Sequence, residues 1–177
     1  VYTKATRVRG KLGNAVDFDG KTHNVKLPLG IGTTKAGTVA LWMKTDAQHG
    51  DVANMFCTST HAGSAGSGGE TEVNLVLSNR GILSSCVAGV RISALKIDDG
   101  QWHHIASTWD EESGGTLYLD GQRVGNRPHN GPHFVWTGHV SLGKPGALRR
   151  CYNGALDEVR IYNRAITADE VKQLAAR

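Results

Sequence analysis

The sequence predicts an all-β protein, an antiparallel β-sandwich finished by one short C-terminal helix. Three observations carry this reading. Apolar and polar residues alternate with a period of two in several short segments, as half-buried strands require. The 23 glycines fall between those segments as turn signals, while 39% of the chain stays hydrophobic. Only the segment from about Ala168 to Ala175 has a helical pattern. The 177 residues suffice for one sandwich core, so a single domain spanning 1–177 is expected. The chain begins at Val1 in mid-flow and reads as a piece excised from a larger protein.

The elements follow in order. Residues 10–20, Gly-Lys-Leu-Gly-Asn-Ala-Val-Asp-Phe-Asp-Gly, give an opening strand ending at a glycine turn. Residues 38–44, Thr-Val-Ala-Leu-Trp-Met-Lys, are apolar on both faces and read as a central strand. Residues 54–58 and 72–77 form two more strands, separated by a Gly/Ser-rich loop from His61 to Gly69. Asn79-Arg80-Gly81 turns into a strand over 82–87. Residues 102–109, bounded by two tryptophans, lead to a hairpin in which Asp120-Gly121 joins Leu117-Tyr118-Leu119 to Gln122-Arg123-Val124. The last strand, around Asp157-Glu158-Val159-Arg160-Ile161-Tyr162, sets Val159 and Ile161 on one side and Glu158 and Arg160 on the other. Thr167 and Glu170 then make a capping box for the helix, with Ile166 and Val171 at staple positions.

Three of these stretches, residues 10–20, residues 100–121 and the closing run from Gly154 to Thr167, occur in an order that resembles the laminin-G-like, concanavalin A-like jelly-roll domains found beside many secreted bacterial hydrolases. That resemblance spans roughly residues 10–176 and implies a jelly roll. It also implies a secreted or cell-surface location and a catalytic domain fused in the parent protein. The fold itself carries unrelated functions, so the ligand must be argued from residues.

Charge excludes some partners. The net charge of +4 and pI of about 9.1 favour an acidic partner such as a uronic-acid or sulfated polysaccharide. Nucleic acid would require a continuous basic stripe with interleaved aromatics, and none is present. No stretch approaches the roughly 18 apolar residues of a membrane span, so no membrane insertion is expected. Cys57, Cys86 and Cys151 lack metal-type spacing and read as small buried hydrophobes, although one disulfide could form.

Enzyme chemistry is not expected. Glycoside hydrolysis needs two carboxyl groups roughly 5 to 9 Å apart, and sandwich glucanases of similar fold carry them as Glu-x-Asp-x-x-Glu on one strand. Glu70 and Glu72 alternate but lack a third acid, and Asp98-Asp99 and Asp110-Glu111-Glu112 read as solvated turns. The resemblance does imply a structural calcium where the opening and closing strands meet, with Asp19 and Asp157 as carboxylate ligands and backbone carbonyls completing the shell. Asp17 is a weaker ligand, and local turn capping by Asp19 and Asp157 is the competing reading.

Carbohydrate is the ligand that the remaining residues favour. Sugars stack their apolar faces on aromatic rings while polar groups bond the hydroxyls, and Trp supplies both surface and handle. Trp42 and Trp102 match positions that the family fills with core aromatics, and Trp109 ends a strand against a loop. Trp136 sits among polar, turn-rich neighbours, so the expected sugar site is Trp136 with His129, His133 and Asn130, and Arg149 or Arg150 for an acidic substituent. His103 and His104, adjacent on one strand, should point one inward and one outward. The function expected is therefore a non-catalytic, lectin-like module that targets its parent to a polysaccharide. The alternative is a laminin-G-type protein-interaction or adhesion domain, which would expose a contiguous apolar patch.

Overall fold

The computed structural model describes all residues except 1, 4, 28–34, 51, 60–72, 79, 88–89, 129–138 and 145–149. Among the described residues the chain forms fourteen strands and one helix. The strands are β1 (Tyr2–Thr3), β2 (Thr6–Arg9), β3 (Asn14–Asp19), β4 (Asn24–Leu27), β5 (Gly37–Lys44), β6 (Ala53–Ser59) and β7 (Val73–Leu77). They continue with β8 (Ile82–Val87), β9 (Val90–Lys96), β10 (Trp102–Asp110), β11 (Gly114–Leu119), β12 (Gln122–Arg127), β13 (His139–Leu142) and β14 (Asn153–Tyr162), and α1 (Ala168–Ala175) closes the chain.

Two seven-stranded antiparallel sheets result. The first runs β1-β4-β13-β6-β7-β8-β9 and the second β12-β11-β10-β5-β14-β3-β2. The expected β-sandwich with a short C-terminal helix is what the chain forms. Its core lies between the sheets, where Val39, Leu41 and Met43 of β5 meet Leu75 and Leu77 of β7, Leu83 of β8 and Ile105 of β10. β5 sits mid-sheet between β10 and β14, which is why it is apolar on both faces. Its inward residues fill the core. Its outward Ala40 joins Ala106 and Tyr118 under the helix residues Ile166, Val171 and Leu174.

The helix is fixed at its start. Thr167 accepts the Glu170 N–H, and the Glu170 carboxylate accepts the Thr167 N–H, so the capping box forms as the sequence implied. The Asp120-Gly121 hairpin also forms, with both residues at positive φ (49° and 79°), the geometry of the two-residue type I′ turn. At Gly121 a side chain would press on Lys172 and Ala175 of the helix, so this turn also seats α1.

Several positions differ from the sequence reading. Trp42 is buried, but on the outward face of the second sheet, with the Lys11 ammonium 4.5 Å from its ring. Trp102 is only partly buried, whereas Trp109 is part of the main core instead of packing against a loop. Of His103 and His104, the latter is the buried one, yet it too lies outward, edge-on to Trp42 at 5.3 Å between ring centroids. Asp98 is not solvated: its side chain is 2% exposed, held by Lys96 at 3.4 Å and the Gln48 amide at 3.0 Å. A bulge between Asp157 and Arg160 breaks the simple alternation of β14 and puts Glu158 at φ 49°. No disulfide joins any two of Cys57, Cys86 and Cys151.

Candidate functional site

The outward face of the first sheet is polar where an ordinary sandwich face would be solvated. On β7, Val73, Leu75 and Leu77 enter the core, so Asn74 and Val76 face away from it. Register then aligns Ser141, Cys57, Asn74 and Cys86 across β13, β6, β7 and β8. A second row aligns Asn54, Val76, Ser84 and Ser93 across β6 to β9. Although outward, Asn54, Cys57, Asn74, Val76, Ser84 and Cys86 are all buried. The face is rich in amide and hydroxyl groups, and among the described residues it carries no carboxylate.

Asn54 is the unusual member. It is 1% exposed, and neither its side-chain nitrogen nor its oxygen has a hydrogen-bond partner. A bulge after Asn54 puts both Met55 and Phe56 in the core, so Asn54 leads the strand on its outward side. Its own N–H donates to the Arg150 carbonyl at 3.0 Å, and it forms an in-register parallel bridge with Cys151. The Cys151 thiol donates to the Lys21 carbonyl at 3.3 Å, and the Lys144 ammonium reaches the same carbonyl at 3.3 Å. Burial raises the Cys151 pKa, opposed by Lys144 and supported by the Asp19 charge. The thiol therefore stays protonated rather than becoming a nucleophile.

The expected sugar residues are only partly placed. Trp136, His129, His133, Asn130 and Arg149 lie outside the described residues. Arg150 is described and stands beside Asn54, through the backbone bond just given. Asn54, Asn74 and Ser84 did not stand out in the sequence, because single polar residues in strands usually face water. The available signal was an Asn alternating with large apolar residues in strands that are otherwise core.

The two expected calcium ligands are not brought together. Asp19 pairs with Asn153, and Leu156 pairs with Val16, so Asp157 lies four positions along the ladder from Asp19. That offset is roughly 13 Å. The Asp19 carboxylate accepts the N–H groups of Lys21, Thr22 and His23 and the Thr22 hydroxyl, all within 2.9 Å. Burial works against its charge, but those amides outweigh burial and hold its pKa well below the usual carboxylate range. Asp157 is buried and, among the described residues, accepts two N–H groups, from Leu12 at 2.9 Å and from Glu158 at 2.8 Å. A side chain at Gly10 would overlap its Oδ2, so the loop of Gly10 to Gly13 closes over this carboxylate as a cradle. No cluster of three or more His, Cys, Asp or Glu residues fit for a metal occurs among the described residues. A cation at Asp157 would therefore draw its other ligands from backbone oxygens.

The histidines at the sheet end do structural work. His103 is gripped between Asp120 at 2.8 Å and Asp99 at 3.1 Å. Burial lowers its pKa, but the two carboxylates overcome that and raise it. His104 is driven down to about 4, by burial first, with Asp120 opposing and Arg160 assisting. His49 accepts the Asn153 N–H at 3.1 Å and stacks on Tyr152, and burial lowers its pKa.

Known proteins share this architecture. A solved structure of domain 4 of AbnA, an extracellular arabinanase of Geobacillus stearothermophilus in complex with arabinotriose, is similar at 23% identity. It matches with a TM-score of 0.73 over 98% of this chain and 82% of that one. A heptameric SAP-like pentraxin of Limulus polyphemus matches at 18% identity and TM-score 0.71, over 91% of this chain and 81% of that one. At these identities the likeness is one of fold. The human adhesion G protein-coupled receptor D2 is 30% identical over 88 residues, 44% of this chain and 9% of the receptor, so the chain spans under a tenth of that protein. No described helix is long and apolar enough to cross a membrane. A family model for the concanavalin A-like lectin/glucanases superfamily matches residues 19–172, most of the chain, and the chain belongs to that family.

Proposed function

We propose that this protein is a non-catalytic carbohydrate-binding module that uses the outward face of the first sheet. The observation that carries the reading is the Asn54 amide, buried with both polar atoms unpartnered. Leaving such a group unpaired costs about 1–3 kcal/mol, so a buried amide without a protein partner calls for a water, ion or ligand. An amide offers two donors and an acceptor, the complement of a sugar hydroxyl. Asn74, Ser84 and Ser93 lie on the same face. Similarity to an arabinanase domain bound to arabinotriose supports sugar as the ligand. The module acts by raising the local concentration of a fused catalytic domain on a glycan outside the cell.

Trp136 is the proposed stacking platform, with His129, His133 and Asn130 beside it, and Trp136→Ala should weaken binding. The structural calcium is proposed at Asp157, within the Gly10 to Gly13 cradle, and not at Asp19, whose lone pairs the turn already uses. Bound there, a calcium ion would supply charge neutralisation and tie the opening loop to the closing strand.

The test is affinity electrophoresis of the purified chain through gels carrying arabinan, xylan, polygalacturonate or alginate. Retardation by at least one glycan, lost on Asn54→Leu, supports the module. Passage through every gel without retardation contradicts it and favours the protein-interaction reading.

A further inference from the structure

The end of the polar face where Asn54 meets Cys151 differs in charge from the rest of that face. We propose that this corner is an anion subsite, reading carboxylate or sulfate groups on an acidic polysaccharide, an inference that rests on the glycan-binding reading and extends it to the chemistry of the ligand.

Three observations converge there. The parallel bridge between Asn54 and Cys151 sets their side chains next to each other on one side of the sheet. Asn54 is the floor of this corner, and its unpartnered amide N–H groups are donors suited to an anionic oxygen. The partly exposed Cys151, Lys144 and Arg150 form the rim. The Lys144 ammonium contacts only the Lys21 carbonyl and is paired with no carboxylate among the described residues.

Charge balance points the same way. Lys144 and Asp19 are the charges that act on Cys151. Asp19 is already satisfied by three N–H groups and a hydroxyl, with the His23 ring 3.7 Å away. Its negative charge is still felt at Cys151, where Lys144 opposes it. Lys144 reaches the corner at the Lys21 carbonyl that it shares with the Cys151 thiol, and Lys21 is exposed beside it. A cationic rim around a buried amide donor discriminates between charged and neutral sugars in a way that an amide alone does not. The ammonium adds long-range attraction, and the amide supplies the directed bond.

The position of the corner matters too. It is where β13 ends, so β6 is left with the 150–151 segment as its neighbour. Gly143 makes this turn at φ 79°, its N–H donating to Met55 and its carbonyl accepting from Tyr152. The subsite is therefore mounted on hydrogen-bonded backbone at the edge of the polar rows.

Matched glycans separate this proposal from the broader one. The whole chain is run in affinity gels with polygalacturonate and with its methyl ester, with chondroitin sulfate and its desulfated form, and with neutral arabinan. At least one anionic polymer should retard the protein about tenfold more strongly than its neutralised partner. Lys144→Gln with Arg150→Gln should remove that advantage and flatten the salt dependence. Arg123→Gln with Arg127→Gln takes the same charge from β12, at the far edge of the other sheet, and should leave binding unchanged. Equal loss in both double variants would mean attraction to overall charge and would overturn the subsite. Binding confined to arabinan or to the neutralised polymers would overturn it while leaving the carbohydrate reading intact. Absence of retardation by every polymer would overturn both.

Discussion

His103 and His104 are consecutive on β10, yet their protonation is driven in opposite directions. His103 lies between the carboxylates of Asp99 and Asp120, and its pKa is raised. His104 is 2% exposed, edge-on to Trp42 with Arg160 near, and its pKa falls from 6.5 to about 4. One residue gains stability in acid and its neighbour loses it.

The consequence for pH is directional. Unfolding lets His104 take up a proton below its ordinary 6.5 that the fold refuses until about 4. Its contribution is full above 6.5 and is lost as the pH falls towards 4, a term on the order of 3 kcal/mol. His103 acts oppositely: its contribution is present in acid and disappears as pH rises through its folded pKa. Denaturant titrations at pH 7.5 and 4.5 should show a smaller acid loss in His104→Phe than in wild type. His103→Gln should show a larger one. Equal acid losses in all three proteins would contradict the assignment.

The helix cap gives a second expectation. Thr167→Ala removes the side-chain acceptor for the Glu170 N–H and should cost about 1 kcal/mol. Thr167→Asn should recover most of it. The loss should appear as a shift in the denaturation midpoint with no change in glycan retardation, since α1 covers the other sheet.

Gly143 is a third. It sits at φ 79°, and a side chain there would drive into the Phe18 ring. Gly143→Ala combines left-handed strain with overpacking and should cost about 3 kcal/mol or more. Gly13, also at positive φ (71°) but with open space around its missing side chain, should lose only about 1–2 kcal/mol on substitution by Ala. A comparison of the two melting curves separates packing from backbone strain.

Calcium supplies a fourth. With the ion at Asp157, a chelator should lower the melting temperature of wild type and of Asp19→Asn. Asp157→Asn should start lower and show no further response. A chelator effect abolished by Asp19→Asn but not by Asp157→Asn would place the ion in the other loop.

The fold was legible in the sequence because its strongest signals are local. β5 is apolar on both faces, Asp120-Gly121 names its own turn, and Thr167 with Glu170 names its cap. The faces were harder. Trp42 and His104 look like core residues by type, but the second sheet has a covered outer face, and periodicity cannot say which side of a sheet is the inside. Asp19 and Asp157 were paired by the family resemblance, while register, which holds them four positions apart, is set by long-range pairing. Asn54 was invisible for the same reason. An asparagine in a strand declares nothing until its neighbours across the sheet show that it is buried and unpaired.

The most direct measurement is of stability and binding together in Asn54→Leu. An amide that serves only the ligand weakens the free protein, so a leucine of similar size should raise stability by about 1–3 kcal/mol and abolish glycan retardation. A variant that is less stable, or one that still binds the glycan as wild type does, would contradict the account.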